Sequence, residues 1–403
     1  MSKPTKLPEG WKLVSLGEVG TLINGDRGKN YPSQKDFVDN GVPFINAGHI
    51  QNGEIDFESM NFISRKRFDL LGSGKVKSGD ILYCLRGSLG KTAIIKDIQE
   101  GAIASSLVII RPSEQIRTDY FYRYLASPIG QAEIYKYDNG SSQPNLSAQS
   151  LKQYQLPLPP LEEQRRIAAI LDKADGVRRK RKEAIRLTEE LLRSTFLEMF
   201  GDSERNFREH CGQDCFLPLE KCIERFIDYR GKTPTKANSG VPLITAKIIK
   251  NGRIQPPNEF IARENYDSWM RRGLPQLGDV LFTTEAPLGE VAQVDDPDIA
   301  LAQRVLLMRG KSNILDNTYL FGTLQSSFVR DQIERRSTGS TVKGIRQKEL
   351  RKVVIPIPPI FLQRKYASFA VSQQKCTDRQ KLLFKESENL FNSLLQRAFR
   401  GEL

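Results

Sequence analysis

The residue types in this chain that could do chemistry sit mostly in arrangements that do not support it. Gly90-Lys91-Thr92 has the ending of a phosphate-binding loop, but that loop needs a glycine five residues before Gly90, and Leu85 stands there. The corresponding Gly289 is followed by Glu290-Val291, so these glycines are read as turns rather than a nucleotide site. There are only two histidines, His49 and His210, and neither lies beside a nucleophile motif. Cys211, Cys215 and Cys222 follow His210, but their spacing fits no zinc pattern and no second cysteine pair follows. Pro159-Pro160 and Pro358-Pro359 follow Leu158 and Ile357, not the Asp or Asn of an amino-methyltransferase motif. Carboxylates are plentiful, yet none form an evident acid/base or metal pair. The chain is therefore expected to have no catalytic residues, no metal and no cofactor of its own.

What remains is a set of basic and polar loop residues that occurs twice. Arg27 and Lys29 correspond to Arg230 and Lys232, each pair flanking a glycine. Asn46 and His49 correspond to Thr245 and Ile248, with Lys247 beside them. Arg86 corresponds to Glu285, next to Thr284, while Ser105 and Ser106 correspond to Gln303 and Arg304. Ser141, Ser142, Gln143 and Asn145 correspond to Ser340, Thr341, Val342 and Gly344, with Lys343 inside the second loop. The glycines are shared and the polar residues differ, as expected if two copies of one scaffold read different targets. Side chains of these types bind phosphates for position and base edges for sequence. Each residue taken alone reads as an ordinary solvated loop residue; the argument rests on the paired set.

The elements that must position these residues are also duplicated. Leu156-Pro157-Leu158-Pro159-Pro160 recurs as Ile355-Pro356-Ile357-Pro358-Pro359, 199 residues on. Gly41-Val42-Pro43-Phe44-Ile45 and Gly79-Asp80-Ile81-Leu82 recur at the same spacing. A period this long means two copies of a whole domain, not a solenoid, and copies of that kind tend to pack about an approximate two-fold. Within each copy, short apolar runs bounded by Asn-Gly and Ser-Gly turns read as strands. Asp119–Tyr135 reads as one helix. After each proline stretch a long charged run reads as a helix, stopped backwards by Pro160 or Pro359 and ended at Gly201 or Gly401. Ile170, Val177, Ala184 and Leu191 in the first, and Phe369, Cys376, Leu383 and Leu390 in the second, fall seven apart and predict a coiled-coil seam. At ~1.5 Å per residue each rod is roughly 55–60 Å long, and a spacer between two modules is the favoured role. The basic run Arg178–Lys182 lies on the first rod only and would suit either DNA backbone, solvent or an acidic partner.

The expected fold is α+β: two duplicated α/β recognition domains, 1–155 and 202–354, separated by two long antiparallel coiled-coil helices, 156–201 and 355–403. The 403 residues carry a net charge of +13 and a pI of about 9.4, which favours a polyanionic partner. No apolar run suits a membrane span, and Met1–Gly10 lacks the apolar core of a signal peptide. Five cysteines, an odd number, read as reduced thiols of a cytoplasmic protein.

This pattern resembles the specificity subunit of Type I restriction–modification enzymes. The resemblance rests on the paired proline–helix stretches (Leu-Pro-Pro-Leu-Glu-Glu-Gln-Arg in the first copy), on Trp11–Glu18, on Arg230-Gly231-Lys232-Thr233-Pro234 and on the ending Ser393–Leu403. It covers essentially the whole chain; the one departure is Phe361-Leu362 where the first copy has Glu162-Glu163. The resemblance implies two target-recognition domains, each reading one half of a split double-stranded DNA site, and helices that separate them and dock partners. It implies two methyltransferase subunits carrying S-adenosylmethionine, and restriction subunits using ATP and Mg²⁺. The alternative is a stand-alone DNA-modifying or DNA-cleaving enzyme with an unrecognised site. A third reading, an RNA- or membrane-binding adaptor, is weakened by an aromatic content of 8%.

Overall fold

The computed structural model describes residues 7–96, 98–137, 145–212, 215–229, 231 and 233–403. The chain divides into two compact units: Met1–Glu183 with Leu382–Leu403, and Ala184–Lys381. Each division point falls inside a long helix, so both units are completed by parts of both rods.

In the first unit a four-stranded antiparallel sheet has the order Thr92–Ile94, Ile81–Cys84, Leu107–Pro112, Gly20–Asn24. Its central strands are apolar without interruption because both faces are covered. Ile81, Tyr83, Val108 and Ile110 point to one core with the helices, and Leu82, Cys84, Leu107 and Ile109 point to another. A five-stranded sheet (Phe37–Val38, Asn61–Ile63, Val42–Ile45, Gly101–Ile103, Lys75–Val76) contains one parallel pair, Gly101–Ile103 with Val42–Ile45. Lys12–Ser15 pairs with Gln155–Leu158, so the unit's first strand closes on the last strand before the rod.

The second unit repeats this plan. Its antiparallel sheet runs Ile223–Asp228, Val305–Gly310, Val280–Thr284, Leu288–Gln293. Val280 and Phe282 face one core while Leu281 faces the other. Val241–Ile244 again pairs in parallel, here with Ala300–Leu301, and Phe216–Pro218 closes on Val354–Pro356. The two units bury equivalent carboxylates in ion pairs: Asp80 with Arg111 at 2.8 Å, and Asp279 with Arg309 at 2.6 Å.

The rods are helices Leu161–Phe200 and Ile360–Arg400, each beginning directly after its proline. Both end at glycines in the left-handed region, Gly201 at φ +89 and Gly401 at φ +71. A buried glutamine in the first turn fixes each rod to its unit. Gln164 accepts from the Arg117 N–H (2.7 Å) and donates to the carbonyls of Gln115 and Pro159. Gln363 accepts from the Asp316 N–H (2.9 Å) and donates to Ile314 and Pro358. The first proline of each stretch is held too: Tyr120 donates to the Pro157 carbonyl and Tyr319 to that of Pro356. Within the first unit the two rod segments run antiparallel, with Arg166 donating to the Leu403 carbonyl and Arg181 to that of Leu383. Within the second they do the same, joined by Thr188 to Gln380 at 3.2 Å and by the rings of Phe200 and Tyr366.

Two expectations need correction. The seam is shifted by one residue. Val177 is 43% exposed, Leu191 48% and Leu390 58%, and Cys376 is exposed as well; Ile170, Ala184, Phe369 and Leu383 are only half-buried. One position further on, Leu171, Ala370, Thr377, Phe391 and Ala398 are buried, and Arg178, Ile185, Leu192, Met199 and Phe384 are half-buried. Apolarity does not separate the two series, because both are mostly apolar and the inner face also carries Asp175, Arg178, Thr188, Thr377 and Ser387. The helix expected over Asp119–Tyr135 is two helices, Thr118–Ala126 and Pro128–Tyr137. Pro128 starts the second, and the Ser127 hydroxyl donates to the Tyr124 carbonyl and accepts from the Gly130 N–H.

Candidate nucleic-acid interface

The same chain of backbone hydrogen bonds gathers the loops at one end of the sheets in each unit. In the first, Ala104 N–H donates to the Ile45 carbonyl (2.8 Å), placing Asn46 beside Ser105. Ser105 N–H donates to the Tyr31 hydroxyl (3.3 Å), which brings the Arg27–Lys29 loop to the same place. Leu85 N–H donates to the Ser106 carbonyl (2.8 Å), and Arg86 bridges to Asn145, its Nε 3.3 Å from Oδ1. Arg27, Lys29, Arg86 and Asn145 are exposed, and Ser105 is half-buried. Asp26 stiffens the Arg27–Lys29 loop by accepting from the N–H groups of Gly28 and Gly72, and these bonds hold its carboxyl below the ordinary range.

In the second unit Ala302 N–H donates to the Ile244 carbonyl (3.0 Å), placing Thr245 beside Gln303. Thr284 N–H donates to the Arg304 carbonyl (3.0 Å), and Glu285 bridges to Gly344 as Arg86 does to Asn145. Thr284, Glu285, Gln303, Arg304, Thr338, Gly339 and Arg346 line a concavity of about 500 Å³. Thr341 and Lys343 line a neighbouring one with Arg330 and Glu334. Arg304 lies 3.7 Å from Glu285, both about half exposed, and Lys343 lies 3.4 Å from Glu334. Lys247 is exposed and Thr245 half-buried.

Three expected contacts change meaning. Thr284 is 2% exposed and its hydroxyl donates to the Arg304 carbonyl, so it holds the frame and cannot touch a base. His49 is 4% exposed; burial lowers its pKa, and its Nδ1 accepts from the Asn46 N–H. Asn46 in turn accepts from the Gly48 N–H at 2.7 Å, so this pair caps a short turn. Gln143, Arg230 and Lys232 lie outside the described residues. Tyr31, Glu285 and Arg346 belong to these faces although they were not among the candidates. Tyr31 is three residues from Gly28 in the same loop, but only the fold shows its hydroxyl reaching Ser105.

The basic run on the first rod is largely engaged within its unit. Arg178 pairs with Asp175 at 2.7 Å, Arg179 with Glu54 at 2.5 Å, and Arg181 with the Leu383 carbonyl; Lys180 and Lys182 are exposed. Gly90-Lys91-Thr92 is a hairpin turn: Gly90 has φ +76, and the Thr92 hydroxyl donates to the Leu82 carbonyl. Among the described residues no group of three or more His, Cys, Asp or Glu is placed to hold a metal.

The family model for the type I restriction modification DNA specificity domain matches residues 8–187 and again 226–381. The chain belongs to that family. It is thus a DNA-specificity subunit rather than a catalytic one. It is 23% identical over 423 residues to the Type I restriction enzyme EcoKI specificity subunit of Escherichia coli (strain K12), spanning 99% of this chain and 90% of that one. It is 24% identical over 382 residues to a putative type I restriction enzyme MjaX specificity subunit of Methanocaldococcus jannaschii, spanning 90% and 86%. In fold it is similar to the S subunit of a Type-I restriction-modification system from M. genitalium, with a TM-score of 0.61, 16% identity and 99% coverage of both chains. It is also similar to a chain from a structural study of complex assembly and conformational transition of the type I R-M system, with a TM-score of 0.60, 22% identity and coverage of 99% and 100%.

Proposed function

We propose that the specificity subunit reads a bipartite double-stranded DNA site, one half by the loop face of each unit. The observation that carries this is the shared hydrogen-bonded frame, Ile45–Ala104–Ser106–Leu85 against Ile244–Ala302–Arg304–Thr284, with unlike polar side chains mounted on it. Arg27 and Lys29 supply phosphate contacts, and Arg86 with Asn145 supplies base-edge donors and acceptors. In the second unit Gln303, Arg304, Arg346 and Lys343 take those roles, with Glu285 offering an acceptor to an exocyclic amine. The candidate domains are 1–155 and 202–354, and the rods set the number of unread base pairs between the halves. Support for the rods as docking sites comes from apolar residues they leave exposed, among them Val177, Leu187, Leu191, Val371, Leu382 and Leu390. Two methyltransferase subunits with S-adenosylmethionine would bind there, with ATP- and Mg²⁺-dependent restriction subunits joining them in the cytoplasm.

The test is methylome sequencing of cells carrying the subunit with its methyltransferase partner, before and after the first unit's reading domain is exchanged for a homologous one. One half of the methylated sequence should change and the other should stay. A change in both halves overturns the modular reading.

A further inference from the structure

We infer that each reading domain is keyed to its own rod segments by contacts that do not work in the other position. The inference concerns how the chain holds itself and stands whether or not the domains read DNA as proposed.

The docking scheme itself is common to both units. A hairpin turn, Asn52-Gly53 in one and Asn251-Gly252 in the other, has both residues at positive φ. Its glycine lies against an aromatic ring at the equivalent helix position: Gly53 against Tyr122, Gly252 against Phe321. An added Cβ would overlap the Tyr122 hydroxyl at Gly53 and lie 3.1 Å from the Phe321 ring at Gly252, so the approach is shared and close.

The residue after that glycine differs in sign. Glu54 pairs with Arg179 of the first rod at 2.5 Å, where Arg179 also lies 3.3 Å from Asp175, whereas Arg253 pairs with Asp378 of the second at 3.1 Å and lies 3.7 Å from Glu189 of the first. Glu54 and Arg253 are 199 residues apart, and so are Arg179 and Asp378. The same ion pair is therefore made twice with its charges exchanged. Moving the first domain to the second position sets Glu54 against Asp378; the reverse move sets Arg253 against Arg179. Like charges in direct opposition repel.

A second pair of equivalent positions reinforces the first. Arg123 is buried in the first unit, bonded to Asp172 (2.6 Å) and Asp175 (3.1 Å) and lying over the Phe391 ring. Its counterpart is Gly322, where an added Cβ would lie 2.6 Å from the Phe196 ring. The counterparts of Asp172 and Asp175 are Val371 and Gln374. Arg123 in the second position would meet the Phe196 ring and lose both of its carboxylate partners, and a buried charge without its partner is strongly unfavourable. Gly322 in the first position would leave a void beside Asp175.

The test uses the full chain and amide hydrogen exchange of the two hairpins, residues 50–55 and 249–254. E54R should lower protection of the first hairpin about two- to fivefold, the range of an exposed ion pair, and R179D should lower it further because Arg179 also pairs with Asp175. The double variant E54R/R179D should recover protection over R179D alone, and R253E/D378R should recover protection over R253E alone in the second hairpin. Singles that leave protection unchanged, or doubles no better than the worse single, overturn the inference. A chain with the segments 16–154 and 219–353 exchanged should lose protection in both hairpins. Re-matching it with E54R and R123G in one segment and R253E and G322R in the other should recover protection. Full protection in the exchanged chain without re-matching also overturns the inference, and if that chain does not fold, the charge-swap series decides.

Discussion

Arg86 and Glu285 occupy the same place on the two loop faces and carry opposite charge. Arg86→Ala should weaken binding of the target by about 1–3 kcal/mol and relax the preference at one base pair, because a base-edge contact discriminates as well as binds. Lys29→Ala should instead weaken all sequences alike and reduce the slope of log K against log salt by about 0.9. Titration of the assembled complex against target variants at several salt concentrations separates the two. Asp175 makes a pH prediction. Burial alone would push its carboxyl up, but Arg178, Arg123 and Arg179 together hold it below the ordinary value of 3.8. A carboxylate held low contributes stability above its unfolded pKa, and that contribution is lost as pH falls through its folded pKa. The first unit should therefore lose stability below about pH 4, and Asp175→Asn should flatten that acid limb in denaturant titrations across pH. At this scale the residue types were legible and their exposure was not. Thr284 and His49 are polar yet buried in the frame: Thr284 ends a central strand and donates to the facing Arg304 carbonyl, and His49 is spent on the backbone of its own short turn.

The rods begin where the sequence places them, because a proline has no N–H to continue a helix backwards and the glycine after each rod adopts a left-handed turn. What holds each start in place was not legible. Gln164 and Gln363 look like ordinary surface residues of a charged run, and both are fully buried, each bonded to three backbone groups of its unit. Gln164→Ala or Gln363→Ala should destabilise its unit by about 1–3 kcal/mol for each buried group left unpaired, as read by chemical denaturation. The seam register failed for a related reason. Apolar residues fall seven apart in both registers, and polar contacts such as Arg178 between Asp175 and Phe391 and Thr188 against Gln380 help set which one faces inward. The broken helix at Ser127 was readable from Pro128 alone and was passed over because the apolar spacing on either side remains in phase.

At the scale of the molecule the duplication was the most legible feature, since a spacing of 199 residues recurs in strands, turns and proline stops alike. The differences between the copies were legible only as unlike letters; their pairing across Glu54 and Arg179, or Arg253 and Asp378, needs the fold. A net charge of +13 predicts binding that weakens steeply with salt, and two loop faces predict that disabling one face leaves a weak, half-specific contact rather than none.

Each reading domain enters and leaves through one two-stranded clasp, Lys12–Ser15 with Gln155–Leu158 in the first unit and Phe216–Pro218 with Val354–Pro356 in the second. The beginning and end of a domain are thus neighbours, held by backbone bonds that do not depend on side-chain identity. For the gene this sets two crossover points per copy at which recombination can replace an entire recognition cassette and leave the flanking frame in register. A cassette exchanged within a position would then fit the helices on either side where it keeps that position's rod contacts, such as Glu54 and Arg123 in the first.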